Sequence, residues 1–258
     1  GHIILYRAGP QGLTAGEMLG GGETRWLPGG QVAREVAPWI TDWDGDGDAD
    51  LLVGCRGGFV SLLERTGPAQ MVVAGLLQQQ FAPVDAGRCA VAVAGDWDGD
   101  GDADLIVGGE DGYVTWYERL PDAGIMFARG RRLADEHGPV RAQGVGDAEL
   151  RYAAPSLVDW DGDGDLDLLV GCGSGAVLIW LNVGSLRPLG TLRVGGEELK
   201  VGGLAMPAPC DANGDGDTDL FVGARELPAP EDVPAVPALP QFAPAVAYFE
   251  NTTDRPSA

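Results

Sequence analysis

DWDGDGDADLLVG, at residues 42–54, returns almost unchanged three times: as DWDGDGDADLIVG at 96–108, DWDGDGDLDLLVG at 159–171 and DANGDGDTDLFVG at 211–223. Each copy reads D-x-[DN]-G-D-G-x-x-D and runs into an apolar stretch. A repeat at this spacing means a chain assembled from copies of one supersecondary unit, none of which can bury its apolar faces alone. Carboxylates at alternate positions of a glycine-rich loop make a cage of hard oxygen donors, the coordination that calcium takes.

Working outward from the loops exposes a longer unit. Four residues before the first aspartate stands Pro38, Ala92, Pro155 or Pro207, in short extended stretches such as APWIT and APSLV. After the loop comes DLLVG, DLIVG, DLLVG or DLFVG. A third strand then opens at Gly58 (GFVSLLER), Gly112 (GYVTWYER) and Gly175 (GAVLIWLN). In the fourth copy it opens late, at Pro244 (PAVAYFEN), because ELPAPEDVPAVPALPQF is inserted at 226–242. A looser apolar segment follows in most units, MVVAGLL and MFARGRRL among them. The order strand, acid loop, strand, turn, strand, turn, strand describes one four-stranded blade, and the expected fold is an all-β propeller with the acid loop between the first two strands of each blade. The units fall at about 31–85, 86–150, 151–200 and 201–258. A half-blade at 1–30 precedes them, since GHIILYR aligns with the third strands and Gly1 with Gly58. The last unit lacks an obvious fourth strand. We therefore expect a piece of a larger propeller, or one closed by strand sharing or self-association through open blade edges.

In the first loop, Asp42, Asp44 and Asp46 can turn side-chain oxygens inward, Asp48 can offer its carbonyl, and Asp50 closes the cage. The second loop supplies Asp96, Asp98, Asp100, Asp102 by its carbonyl, and Asp104. The third supplies Asp159, Asp161, Asp163, Asp165 by its carbonyl, and Asp167. The fourth supplies Asp211, Asn213, Asp215, Asp217 by its carbonyl, and Asp219. Asn213 removes one charge, so the fourth site is expected to be the weakest of four Ca²⁺ sites. An EF-hand needs a glutamate at the twelfth position, where these loops carry Val53, Val107, Val170 and Val222. It also needs flanking helices, whereas β-branched, strand-like sequence follows here; dockerin-type loops fail for the same reason. Glycine- and aspartate-rich stretches can be plain turns, but four in register are not.

The pattern D-x-D-x-D-G-x-x-D-L-x-V-G, with the preceding Ala-Pro and the following G-x-V strand, resembles the FG-GAP/VCBS repeat of integrin-like β-propellers. The resemblance covers nearly the whole chain apart from the proline-rich insert and residues 132–150. It implies a bound ion stabilising the turn between the first two strands of a blade. Families with such propellers include integrin α-subunit heads, fungal lectins and polysaccharide lyases, so the resemblance implies a fold and leaves the function open.

Composition narrows the function. A formal charge of −22 argues against nucleic acid, whose phosphates would be repelled. Four bound Ca²⁺ ions would bring it to −14. Without metal, five like charges within nine residues repel strongly, so stability should depend on calcium. There is no run of about 18 apolar residues, so no membrane-inserting helix is expected. Any targeting segment is expected to lie outside this sequence, with the protein extracellular or at the cell surface. Cys55 and Cys172 follow equivalent LLVG runs, while Cys89 and Cys210 precede the next acid loops. Pairings 55–89 and 172–210 fit these positions, as do free buried thiols, and four cysteines allow three connectivities. No C-x-x-C suggests zinc.

Three functions compete. The first is a calcium-stabilised recognition or adhesion module for a glycan or protein, non-catalytic, for which Trp26, Trp39, Tyr113, Trp116 and Trp180 are candidate contact aromatics. Trp43, Trp97 and Trp160 recur in the loops, and recurrence argues for packing, because a repeated feature supports every blade while a binding site needs one. The second is a scaffold segment of a larger secreted protein. The third is a polysaccharide lyase, for which His2 and the Asp135, Glu136, His137, Arg141, Glu149 stretch would be the acid–base inventory. No G-x-S-x-G, H-E-x-x-H or phosphate-binding loop appears.

Overall fold

A run such as Leu51-Leu52-Val53 has no polar face, so a strand made from it must be covered on both sides. The computed structural model describes residues 36–143 (apart from 68, 69, 81, 122 and 123), 151–224 and 246–251, together with the backbone of four two-residue strands between Ile4 and Met18. The described residues are all-β and contain no helix. None of their elements is a helix long and apolar enough to cross a membrane.

Each acid loop joins the first two strands of a sheet, and those two strands pair antiparallel in the first, third and fourth sheets. The first sheet runs Ala37–Thr41, Asp50–Gly54, Val60–Gly67, Gln70–Leu76 in that order, and the second runs Val91–Gly95, Asp104–Gly108, Val114–Tyr117, Arg131–Arg132. The third places Ala153–Val158, Asp167–Cys172, Val177–Asn182 and Leu186–Thr191 in sequence, and carries two further short strands beyond the last. The fourth has three described strands: Met206–Cys210, Asp219–Gly223 and Val246–Phe249. The DLLVG strand is buried at every position in the first three sheets. Register sorts its residues. Leu52 faces Leu62, and both join Val60, Leu77, Val84, Ala92, Leu105 and Phe127 on one side. Leu51 faces Leu63 and packs with Val53 on the other. Burying one such leucine contributes about 1.5–3 kcal/mol.

The chain forms two compact units, one of Gly1–Ala94, Gly101–Gly109 and Thr115–Arg131, the other of Gly95–Asp100, Glu110–Val114 and Arg132–Ala258. In the second unit Leu169, Val177, Ile179, Leu199, Val201, Ala205, Leu220 and Val222 make the core. The motif's final glycine has a specific cause within each unit. A Cβ on Gly54 would meet the Ala90 carbonyl oxygen, and one on Gly171 would meet that of Ala205. The Ala90 N–H donates to the Cys55 carbonyl and the Ala205 N–H to that of Cys172, both at 3.0 Å, so the backbone entering the next repeat lies directly on this glycine.

A small hairpin follows the fourth strand of each of the first three repeats, at Gln78–Gln79/Ala82–Pro83, Ala134–Asp135/Gly138–Pro139 and Arg193–Val194/Glu197–Glu198. The first pairs in parallel with Met126–Phe127 and the second with Leu186, each on the outer side of the following repeat. Part of the stretch that reads as a polar insert at 132–150 is therefore structured as a strand pair. Near the N-terminus, Ile4–Leu5 pairs with Glu17–Met18 and Ala8–Gly9 with Gly12–Leu13. The remainder of the 1–30 half-unit, the 226–242 insert, Pro244, Trp26, His2 and Glu149 lie outside the described residues.

Candidate metal centres

The first aspartate of each loop folds the loop around itself. Asp42 accepts N–H groups from Gly45 (2.9 Å) and Gly47 (3.1 Å), one on each oxygen. Asp159 does the same with Gly162 and Gly164, and Asp211 with Gly214 and Gly216. Asp96 accepts from Gly99 at 2.8 Å. The second loop glycine has φ of 88°, 96°, 98° and 90° in the four copies, a left-handed conformation that a Cβ disfavours.

The last aspartate is the buried anchor. Asp50 is 2% exposed, and its two oxygens accept the Trp43 N–H (2.9 Å) and the Arg65 N–H (2.8 Å). Asp167 accepts from Trp160 and Asn182, both at 2.8 Å, and Asp104 from Arg119 at 2.8 Å. Asp219 accepts from Ala212 (3.2 Å), Asn251 (2.9 Å) and the Tyr248 hydroxyl (3.1 Å). Each closing carboxylate thus ties the loop to the end of the third strand. Burial leaves Asp167 above the ordinary carboxylate value, with Asp161 adding to the rise against its hydrogen bonds. The Asn251 N–H, with the Ala212 and Tyr248 donors, holds Asp219 below it. Burial and the bond to Asp219 push the Tyr248 hydroxyl up to about 12.

The structure brings carboxylate oxygens of Asp42, Asp44 and Asp50 within 4.8 Å of one another, and likewise those of Asp96, Asp98 and Asp100, and of Asp159, Asp161 and Asp167. Two oxygens bound to one calcium at about 2.3–2.6 Å can stand no more than about 5 Å apart, so the separation and the all-oxygen donor set fit that ion. Asp46 and Asp163 spend an oxygen on the N–H of Asp48 (2.8 Å) and Asp165 (3.0 Å). In the fourth loop, Asp215 does this for Asp217, while the Asn213 amide reaches Asp215 (2.8 Å) and Glu250 (3.3 Å). Glu250 brings a carboxylate to the one loop that lost one, from 37 residues away.

The family described as FG-GAP-like repeat matches residues 42–107 and 159–222, together half of the chain. The chain belongs to that family. No curated protein sequence matches it. Among solved structures, it is similar to the Photorhabdus luminescens Tc holotoxin pore, at 18% identity and TM-score 0.47 over 87% of this chain and 10% of that one. It is also similar to an Agrocybe aegerita lectin that recognises non-reducing terminal N-acetylglucosamine, at 18% identity and TM-score 0.48 over 85% of this chain and 54% of that one. The chain spans a tenth of the first and about half of the second.

Within the FG-GAP-like repeats, the loop tryptophans are structural. Trp43 and Trp97 are buried, Trp43 against Phe127. The Arg119 guanidinium lies 4.4 Å from the Trp43 ring and donates to the Trp43 carbonyl at 3.2 and 3.3 Å. The Asn182 amide repeats this on the Trp97 carbonyl at 3.2 Å. Arg119 therefore serves two loops: its backbone holds Asp104 and its side chain holds Trp43. Sequence reasoning missed Arg65, Arg119, Asn182 and Asn251, because most of what they contribute is a backbone N–H.

The other candidate aromatics are engaged. Trp39 packs against the core, Trp116 carries Arg131 at 4.3 Å, and Trp180 donates Nε1–H to Asp135 at 2.7 Å. Tyr113 carries two guanidiniums, those of Arg132 at 3.6 Å and Arg141 at 4.6 Å. His137 is exposed at a hairpin tip, its Nδ1 3.7 Å from Asp135 and its Nε2 4.0 Å from Glu136. All four cysteines are free thiols, and burial pushes Cys172 up to about 11.

Proposed function

We propose that each FG-GAP-like repeat is a propeller blade whose acid loop binds Ca²⁺, four ions in all, and that the chain is an extracellular, calcium-stabilised recognition or adhesion module for a glycan or protein, without catalysis. The observation that supports it is the double duty of the closing aspartates. Asp50 and Asp167 each place one carboxylate in a three-aspartate cluster and, at once, on the backbone of the loop and of the third strand. An ion there would neutralise the cluster and lock the strand ends together. Open all-oxygen sites of this kind suit the millimolar calcium found outside cells. The full ligand sets, including the carbonyls of Asp48, Asp102, Asp165 and Asp217, belong to the same proposal, with the Asn213 site the weakest.

The test is thermal melting with calcium and with excess chelator, followed by a glycan array in millimolar calcium. Melting that ignores the chelator would overturn the calcium reading. A glycan bound in calcium and released by chelator would support recognition. Silence on the array, together with self-association in solution, would favour the scaffold reading, for which the strand Val246–Phe249, the last of its sheet among the described residues and with Val246 exposed, is the motivating feature.

A further inference from the structure

Three of the repeats build the same small frame at the end of the sheet remote from the acid loop. In each, two backbone N–H groups reach the start of the third strand. These bonds are Leu77 to Val60 and Ala86 to Gly58, Leu133 to Val114 and Ala142 to Gly112, and Leu192 to Val177 and Val201 to Gly175, all between 2.8 and 2.9 Å. Three side-chain positions belong to this frame: the residue just before the third strand, and the residue before each donor. They hold Phe59, Leu76 and Asp85 in the first repeat and Ala176, Thr191 and Lys200 in the third. In the second they hold Tyr113, Arg132 and Arg141. The backbone is equally well formed with any of these sets, so the tyrosine and arginine pair is not needed to build it.

We infer that Tyr113, Arg132 and Arg141 form an anion-binding site for the carboxylate or sulfate groups of an acidic saccharide. Both guanidiniums lie over one ring, at 3.6 and 4.6 Å from its centre, so their central carbons can be no further apart than the sum of those distances. The ring holds two like charges in place by cation–π attraction. Among the described residues, one carboxylate is ion-paired with them: Asp111, 3.5 Å from Arg132, both half exposed and with Asp111 also holding the Tyr113 N–H at 3.0 Å. An ion pair this exposed is worth about 0–1 kcal/mol and yields readily to a better-placed anion. Guanidinium forks match carboxylate and sulfate geometry bidentately. The strand Asp104–Gly108 separates this end from the acid loop by about 15 Å at roughly 3.3 Å per residue. That exceeds the Debye length of about 8 Å at physiological salt, so repulsion of a ligand here by the loop aspartates is largely screened.

The saccharide half rests on the recognition reading above; the anion half rests on the arginine pair alone. The experiment is calorimetric titration of the whole chain in calcium and physiological salt, with a galacturonic acid oligomer, a sulfated oligosaccharide, a neutral oligosaccharide of equal length, and sodium sulfate. Binding of an acidic oligosaccharide, no binding of the neutral one, and at least a tenfold loss in R132Q/R141Q are expected. K200Q, at the equivalent position of the third repeat, is expected to bind as the parent does. Unchanged affinity in R132Q/R141Q, or no binding by any anion, would overturn the inference. Sulfate binding as tightly as the oligosaccharides would overturn the saccharide half while supporting the anion half. A neutral glycan bound equally by parent and R132Q/R141Q would overturn the inference and leave the recognition reading standing. Melting with and without chelator on the same samples reports separately on calcium and on the folding of the variants.

Discussion

The Asn251 N–H donates to the Asp219 carboxylate at 2.9 Å across 32 residues of chain. Its counterparts, Arg65 on Asp50, Arg119 on Asp104 and Asn182 on Asp167, each span 15. The 17 additional residues equal the length of the 226–242 insert. The fourth repeat closes its acid loop with the same bond as the others, and the insert leaves the pairing register of Asp219–Gly223 with Val246–Phe249 intact.

Deleting residues 226–242 should therefore preserve the fourth sheet. The connection from Gly223 to Val246 would shrink to the length that joins Gly54 to Val60. Loop-closure entropy predicts a gain of about 1 kcal/mol from that shortening, or a rise in Tm of about 2–4 °C for a chain of this size. A fall in Tm would mean that the insert makes stabilising contacts.

The closing aspartate Asp50 and the exposed loop aspartate Asp44 should respond differently to calcium. Asp50→Ala leaves the N–H groups of Trp43 and Arg65 without their acceptor at a buried position. Each orphaned donor costs about 1–3 kcal/mol, so the variant should melt well below the parent even in chelator. Asp44 is exposed and accepts one short-range bond from Asp46. Asp44→Ala should melt at or slightly above the parent in chelator, where one of five repelling charges is gone, and below it in calcium, with one ion fewer by calorimetry. Equal losses for both variants in chelator would contradict this division of roles.

Arg119 joins two acid loops, through Asp104 on its backbone and Trp43 on its side chain, and the Trp43 N–H continues to Asp50. Arg119→Ala should cost about 1–2 kcal/mol for the lost hydrogen bonds and ring contact. It should also weaken calcium binding at the first loop, although Arg119 supplies no ligand there. Terbium luminescence in a Trp97→Phe/Trp160→Phe background, which leaves Trp43 as the acid-loop sensitiser, reads that site. An unchanged terbium affinity would show that the two loops act independently.

The acid loops and the apolar strands after them are legible in sequence because both depend on side-chain type at fixed spacing. Asp42 to Asp50 and Leu51 to Val53 declare their roles by chemistry alone. The anchors of the closing aspartates were hidden because Arg65, Arg119, Asn182 and Asn251 differ as side chains and agree as N–H donors; the constant spacing of 15 was the available signal. The hairpin at Gln78–Gln79 and Ala82–Pro83 was hidden for another reason. Strands of two residues are too short to display alternation, and this one gains its place from Met126–Phe127, distant in sequence. Glu250 beside Asn213 was hidden by the same 17-residue displacement that hides Asn251.

The hairpin of the second repeat makes a pH-dependent contact. Asp135 accepts the Trp180 Nε1–H at 2.7 Å and the His137 N–H at 2.8 Å. Burial would raise its carboxyl, but these bonds and the nearby His137 ring outweigh that and hold it below the ordinary 3.8. With the folded value below the unfolded one, the stabilisation is complete above about pH 4 and is lost as pH falls through the folded value. Trp180 fluorescence should thus change below pH 4, as the carboxylate is protonated and its acceptor strength falls. Asp135→Asn keeps an oxygen acceptor and removes the charge, so the fluorescence of that variant should be flat over the same range. A transition persisting in D135N would assign the titration to another group.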